Sequence, residues 1–211
     1  KRKHLPKAYY NLSKAYYQIA VDTANASWDQ QYPDALALSA QNWSNFMRYE
    51  DKLRSPLEKD DVLTQYFLQD RIWAESFNRG IAGFNTQEYA GAVDNFSNAI
   101  MVKPSSMLNY RMRGFGYILM QDTVSALKDL DTFLEMYEST YSAPDEATME
   151  TPEFTQANEA LNLVAQQAAI IYSFGDENSN QFYDVQKALD IIETGLKYVS
   201  KEDKEGEKYL E

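Results

Sequence analysis

Apolar residues along this chain recur at helical spacing rather than in alternation. Residues 8–26 and 32–52 each carry an amphipathic stripe, and a longer one begins near Asp60 or Asp61 and runs to about Phe84. No alternating pattern of useful length reads as a strand. The punctuation suits helices as well. Pro6 and Pro33 fit the first turns of helices one and two, and Pro56 breaks the chain before the long third helix, which opens on acids that favour its positive end. Ser105 and Ser106 follow Pro104 as caps for the next helix. Asp122 or Thr123 caps its partner, and Thr151 followed by Pro152 opens the seventh. An all-α chain is the expectation.

The pattern repeats. Thirty-four residues separate Gly80 from Gly114, and the same interval separates Ala92 from Ala126. Around it, Ala92, Val93, Phe96, Ala99 and Ile100 recur as Ala126, Leu127, Leu130, Phe133 and Leu134. A gap-free match of small and apolar positions at this period marks a repeated helical hairpin. A third unit places Ala188, Leu189, Ile192, Gly195 and Leu196 at the same second-helix spacing, with Ala169 and Tyr172 at the Gly and Tyr positions of its first helix. The segment GDENSNQ lengthens its turn, and an insertion from Glu138 to about Thr155, rich in acids, reads as an exposed loop. Near the N-terminus, Tyr32, Ala35 and Leu36 echo a second helix, although Ser39 and Asn42 weaken the echo.

These residues resemble the tetratricopeptide repeat, which sets a Gly in the first helix against an Ala in the second. In the first unit Phe84, Tyr89, Ala92, Phe96 and Pro104 fall on pattern positions. In the second, Tyr110, Gly114, Tyr117, Ala126 and Leu130 do. Departures are Arg79 and Arg113 in place of Leu, Gly83 in place of Tyr, and Glu138 in place of the closing Pro, so the resemblance is to a divergent member. It implies a right-handed α-solenoid of about four antiparallel hairpins. Residues 1–55 would form a diverged capping hairpin, 60–138 two repeats, 139–155 an acidic loop, 156–200 a third repeat and 201–211 a charged tail.

The resemblance also implies function. The family's first helices line a concave groove, which here carries Ala74, Phe77, Asn78, Ile81 and Phe84, then Leu108, Arg111, Met112, Phe115 and Ile118. Only Asn78 and Arg111 suit a clamp for a peptide carboxylate. Two readings stay open: Phe77 and Phe115 fill the groove as core, or the aromatics anchor an apolar peptide or helix. The residues singled out for partner binding are Phe77, Asn78, Ile81, Phe84, Arg111 and Phe115. The implied activity is a non-catalytic protein-interaction scaffold.

Composition narrows the chemistry. A formal charge of −12 over 211 residues disfavours a nucleic-acid backbone, whose binding draws on clustered Lys and Arg, and makes a basic protein partner the better expectation. With no Cys, thiolate catalysis and disulfides are excluded, and either redox compartment fits. The one His is His4, which removes His-based triads and multi-His metal sites. No apolar run is long enough for a membrane helix, and KRKH is not followed by the hydrophobic stretch of an intact signal peptide. A soluble chain in an unassigned compartment is expected, with no cofactor and no metal.

The remaining polar groups are weaker signals. Asp176, Asn178, Asn180 and Asp184 alternate as in a calcium loop, but Lys187 stands where the bidentate Glu belongs, so a polar turn is expected. The acidic pairs Asp60/Asp61, Asp129/Asp131 and Asp145/Glu146 are expected to face water rather than to span a catalytic pocket. Sequons at Asn11, Asn25, Asn42 and Asn95 fall mostly in helices. With 16 Tyr and 3 Trp, an alternative is a cell-surface or periplasmic site for a small molecule or glycan, for which Trp28, Trp43 and Trp73 are the candidates.

Overall fold

A computed structural model describes residues 5–50, 59–142, 145–174 and 182–198, and every regular element among them is helical. The chain divides into two compact units, residues 1–109 and 110–211. The first holds α1 (Leu5–Val21), a short α2 (Ala26–Gln31), α3 (Ala35–Tyr49), α4 (Lys59–Asn85) and α5 (Tyr89–Val102). Helix α6 (Met107–Leu119) carries the chain from the first unit into the second. There α7 (Thr123–Tyr141), a short α8 (Glu146–Met149), α9 (Pro152–Phe174) and α10 (Val185–Tyr198) follow. Among the described residues, no helix is long and apolar enough to cross a membrane.

The 34-residue period returns as backbone geometry. At the end of α4, Gln87 adopts φ 63°, its N–H bonds the Phe84 carbonyl, and the Glu88 N–H bonds the Gly83 carbonyl at 2.8 Å. At the end of α6, Gln121 adopts φ 61°, with bonds from Gln121 to Ile118 and from Asp122 to Tyr117 at 2.9 Å. Both are Schellman closures, in which a left-handed residue lets two amides reach back to orphan carbonyls. Each next helix starts identically: Ala92 N–H bonds Glu88, and Ala126 N–H bonds Asp122. The expected cap at Asp122 is present, its carboxylate accepting from Ser125 N–H at 3.1 Å.

Small residues set the hairpin crossings. A Cβ on Gly80 would lie 2.6 Å from the Phe96 ring, and one on Gly114 would lie 3.0 Å from Leu130 Cδ2. A Cβ on Gly83 would lie 3.0 Å from the Ala92 Cβ and 3.2 Å from its backbone. In the N-terminal hairpin of α1 and α3, serines take this place. Ser13 Oγ donates to the Ser39 carbonyl at 2.9 Å, and Ser39 Oγ donates to the Ser13 carbonyl at 2.8 Å, with both residues fully buried. Ser39 weakened the sequence echo; in the fold its small side chain is what lets the helices meet. The core of this unit gathers Tyr10 from α1, Leu36, Trp43 and Phe46 from α3, Leu68 and Ile72 from α4, and Val102 from α5.

The second unit packs α7 against α9 through Tyr141 and Phe154, whose rings meet edge-on at 5.2 Å. Thr151 caps α9 through its hydroxyl, which accepts from Phe154 N–H. The stretch read as a loop between these helices contains α8, capped by Asp145.

Candidate functional site

Four of the six residues singled out for binding lie on α4. Phe77 is half-buried, stacked on Trp73 and edge-on to Phe96, each at 5.5 Å between ring centroids. Phe84 is likewise half-buried against Phe96 and Tyr89. Ile81 is half-buried, while Asn78 is exposed. The aromatics of α4 therefore brace the hairpin with one edge and leave the other open.

The other two, Arg111 and Phe115, lie on α6 within the second unit. The Arg111 guanidinium sits over the Phe115 ring at 5.6 Å from its centroid. Burial pushes the Arg111 pKa below its ordinary value, and the Glu159 carboxylate of α9 works against that shift. Arg111 Nε is buried and finds no hydrogen-bond acceptor among the described residues. This cation is partly desolvated and one acceptor short.

Sequence reasoning stopped at α6 and missed the corresponding face of α9. Ala169 takes the place of Gly114, so Leu163 and Ile170 correspond to Leu108 and Phe115. Both are 46% exposed. The signal was present, since the third unit had been aligned through Ala169. Leu163 and Ile170 lie two turns apart on one helix face, with Gln166 and Gln167 between them, and exposed apolar side chains placed so mark a surface that can meet a partner.

Two clefts accompany these faces. One lies between α1 and α4 in the first unit. The other, about 480 Å³, lies between α7 and α10, with Leu134 and Ile191 lining it and Glu135, Glu138 and Asp190 around them.

Of the acidic pair Asp129/Asp131, expected in water, Asp129 is buried and Asp131 is half-buried. Asp129 is 2% exposed and receives both Arg113 donors, Nε at 2.7 Å and an Nη at 2.8 Å. That hydrogen bonding raises the Arg113 pKa, against the opposing effect of burial. Asp131 accepts from the Tyr172 hydroxyl at 2.9 Å and from Lys187 Nζ at 2.6 Å. Arg113 had registered only as a break in the Leu pattern, and Lys187 only as a defect in a calcium loop. Each is the partner of a carboxylate from another helix. Of that loop, Asp176, Asn178 and Asn180 lie outside the described residues, as does His4. Asp184 caps α10 by accepting from Lys187 N–H. The side chains of Asp60, Asp61 and Glu146 are likewise outside the description. Among the described residues, no three metal-ligating side chains converge.

The tryptophans serve packing in two cases. Trp43 is 2% exposed in the core. Trp73 donates from its indole to Asn109 Oδ1 at 2.9 Å and carries the Lys103 ammonium 4.7 Å from its ring centroid. Trp28 is half-buried on α2. No family model, curated protein or solved structure matches the chain.

Proposed function

We propose that this protein is a non-catalytic interaction scaffold, built as a divergent tetratricopeptide-type solenoid, whose first-helix faces bind an apolar peptide or helix. The observation that carries the reading is the uncovered apolar row of α9, Leu163 and Ile170, at repeat positions matching Leu108 and Phe115 of α6. Arg111, desolvated over Phe115, supplies a donor for a carbonyl or carboxylate of the bound chain. An apolar anchor beside one oriented polar contact is the usual economy of helix-in-groove recognition. The acidic surroundings of the α7/α10 cleft favour a partner with basic residues flanking its apolar anchors.

A displayed random-peptide library selected on the whole chain tests this. Selected peptides should share spaced apolar anchors. Their affinity should fall at least about tenfold in an Ile170→Asp variant that circular dichroism shows to be folded, and also in Phe115→Arg. Failure to select any consensus, or peptides indifferent to both substitutions, would sink the proposal.

A further inference from the structure

The cleft between α1 and α4 has a chemistry unlike the rest of the chain. On α1 it is lined at helical spacing by Tyr10, Lys14, Tyr17 and Val21, and on α4 by Phe67, Leu68 and Arg71. Tyr10 and Leu68, both belonging to the core, form a buried floor. Phe67 stands open at 63% exposure, with Val21 beside the opening. The two helices are tied beyond Tyr17, where Arg79 of α4 donates to the Ala20 carbonyl of α1 at 2.7 Å. The cleft is open on one side and has a volume of about 390 Å³, within the range of small-ligand sites.

Charge selects among such molecules. In a chain of net charge −12, the described residues lining this cleft include two cations, Lys14 and Arg71, and no carboxylate. Neither cation has an ion pair among the described residues, whereas Arg79, about two turns further along α4, is held by Glu75 at 2.7 Å. The Tyr17 phenol faces the same space. Burial, then the Glu75 charge, raises its pKa, so it stays a neutral donor across the physiological range. An aromatic floor, flanking cations and a neutral phenol are complementary to a flat apolar body carrying one negative charge.

We propose that the α1/α4 cleft is a binding site for a small aromatic carboxylate. The ring lies against Tyr10 and Phe67, and the carboxylate meets Arg71 and Lys14. This site is separate from the apolar rows of α6 and α9, and it stands or falls without them.

Three probes with the same phenylpropyl body decide it: 3-phenylpropionate, its isosteric amide 3-phenylpropanamide, and the cation 3-phenylpropylamine, titrated into the ¹⁵N-labelled full chain. The carboxylate should shift amides of α1 and α4 saturably and bind at least about tenfold more tightly than the amide, with the amine weakest. In a folded Lys14→Gln/Arg71→Gln variant the carboxylate should fall to the level of the amide. Phe67→Ala keeps both charges and should weaken carboxylate and amide by the same factor. Equal binding of the three probes, no saturable binding by any, or discrimination that survives loss of both cations overturns the proposal.

Discussion

Gly80→Ala is the substitution that most directly probes how the repeat is built. In an unobstructed helix interior, Gly→Ala stabilises by about 1 kcal/mol. Here the new Cβ would lie 2.6 Å from Phe96 Cε1 and Cζ, and 2.8 Å from Cδ1, so the ring or the helix must move. The ring has nowhere to go: Phe96 is fully buried and held by Phe77 at 5.5 Å and Phe84 at 5.2 Å. Overpacking of this kind costs roughly 1–3 kcal/mol, which outweighs the propensity gain and leaves a net loss of about 1 kcal/mol. Gly114→Ala is the milder comparison: its Cβ would lie 3.0 Å from Leu130 Cδ2 and 3.3 Å from Asp129 Cβ, contacts that need a shift of only a few tenths of an ångström. It should be less destabilising than Gly80→Ala by about 1 kcal/mol. Urea titration reads the first directly, because Trp28, Trp43 and Trp73 all lie within residues 1–109, while circular dichroism reads the second. Phe96→Leu, which installs the residue of the second repeat, should compensate Gly80→Ala with a coupling of about 1–2 kcal/mol. A Gly80→Ala protein about 1 kcal/mol more stable than wild type, or a coupling of zero, would refute the close-approach account.

Three further outcomes are expected. Asn109→Ala removes a fully buried amide that accepts from Trp73 and donates to the Lys103 carbonyl at 3.0 Å; leaving both groups unmet should cost about 1–3 kcal/mol, with a change in Trp73 emission before unfolding. Asp129→Ala removes the carboxylate that takes two Arg113 donors and should cost roughly 3 kcal/mol by thermal or urea unfolding, whereas Asp129→Leu with Arg113→Met should lie nearer wild type. The folded pKa values of Tyr172 and Lys187 are both raised: the first by burial, the second against the opposing effect of burial, by hydrogen bonds to Asp131 and Tyr172 together with their charges. Their stabilisation is therefore complete below the unfolded values near pH 10 and is lost as pH rises through the folded ones; alkaline melts should show this loss, and an Asp131→Asn variant should lose less.

What was legible in the sequence was what local spacing encodes. The hairpin period, the caps at Asp122 and Thr151, and the long helix beginning near residue 60 are all written in neighbouring residues, and the structure places them there. What escaped notice depended on a second segment. Ser13 and Ser39 pair across 26 residues, Arg113 and Asp129 across 16, and Asp131 and Lys187 across 56. No helical pattern announces such a partner, so Ser39, Arg113 and Lys187 looked like irregularities when read alone, and Asp129 and Asp131 like surface acids. The short α2 and α8 were missed for a different reason: six and four residues hold too few turns to show a period.

The third hairpin separates what this architecture requires from what it tolerates. The Asp184 N–H bonds the Tyr172 carbonyl at 2.8 Å, at the positions where Asp122 bonds Tyr117 in the second hairpin. Yet twelve positions separate the partners here instead of five, the difference being the seven residues 175–181. By chain statistics that lengthening costs only about 0.8 kcal/mol of closure entropy. Close beside the closure, Tyr172 and Lys187 converge on Asp131, and the Lys187 ammonium lies 4.4 Å from the Tyr172 ring centroid. One part-buried, charge-assisted hydrogen bond contributes as much as the longer turn costs. The returning amide therefore tolerates a longer connection between two helices, which accounts for a second-helix pattern at Ala188 that begins sixty-two residues after the one at Ala126.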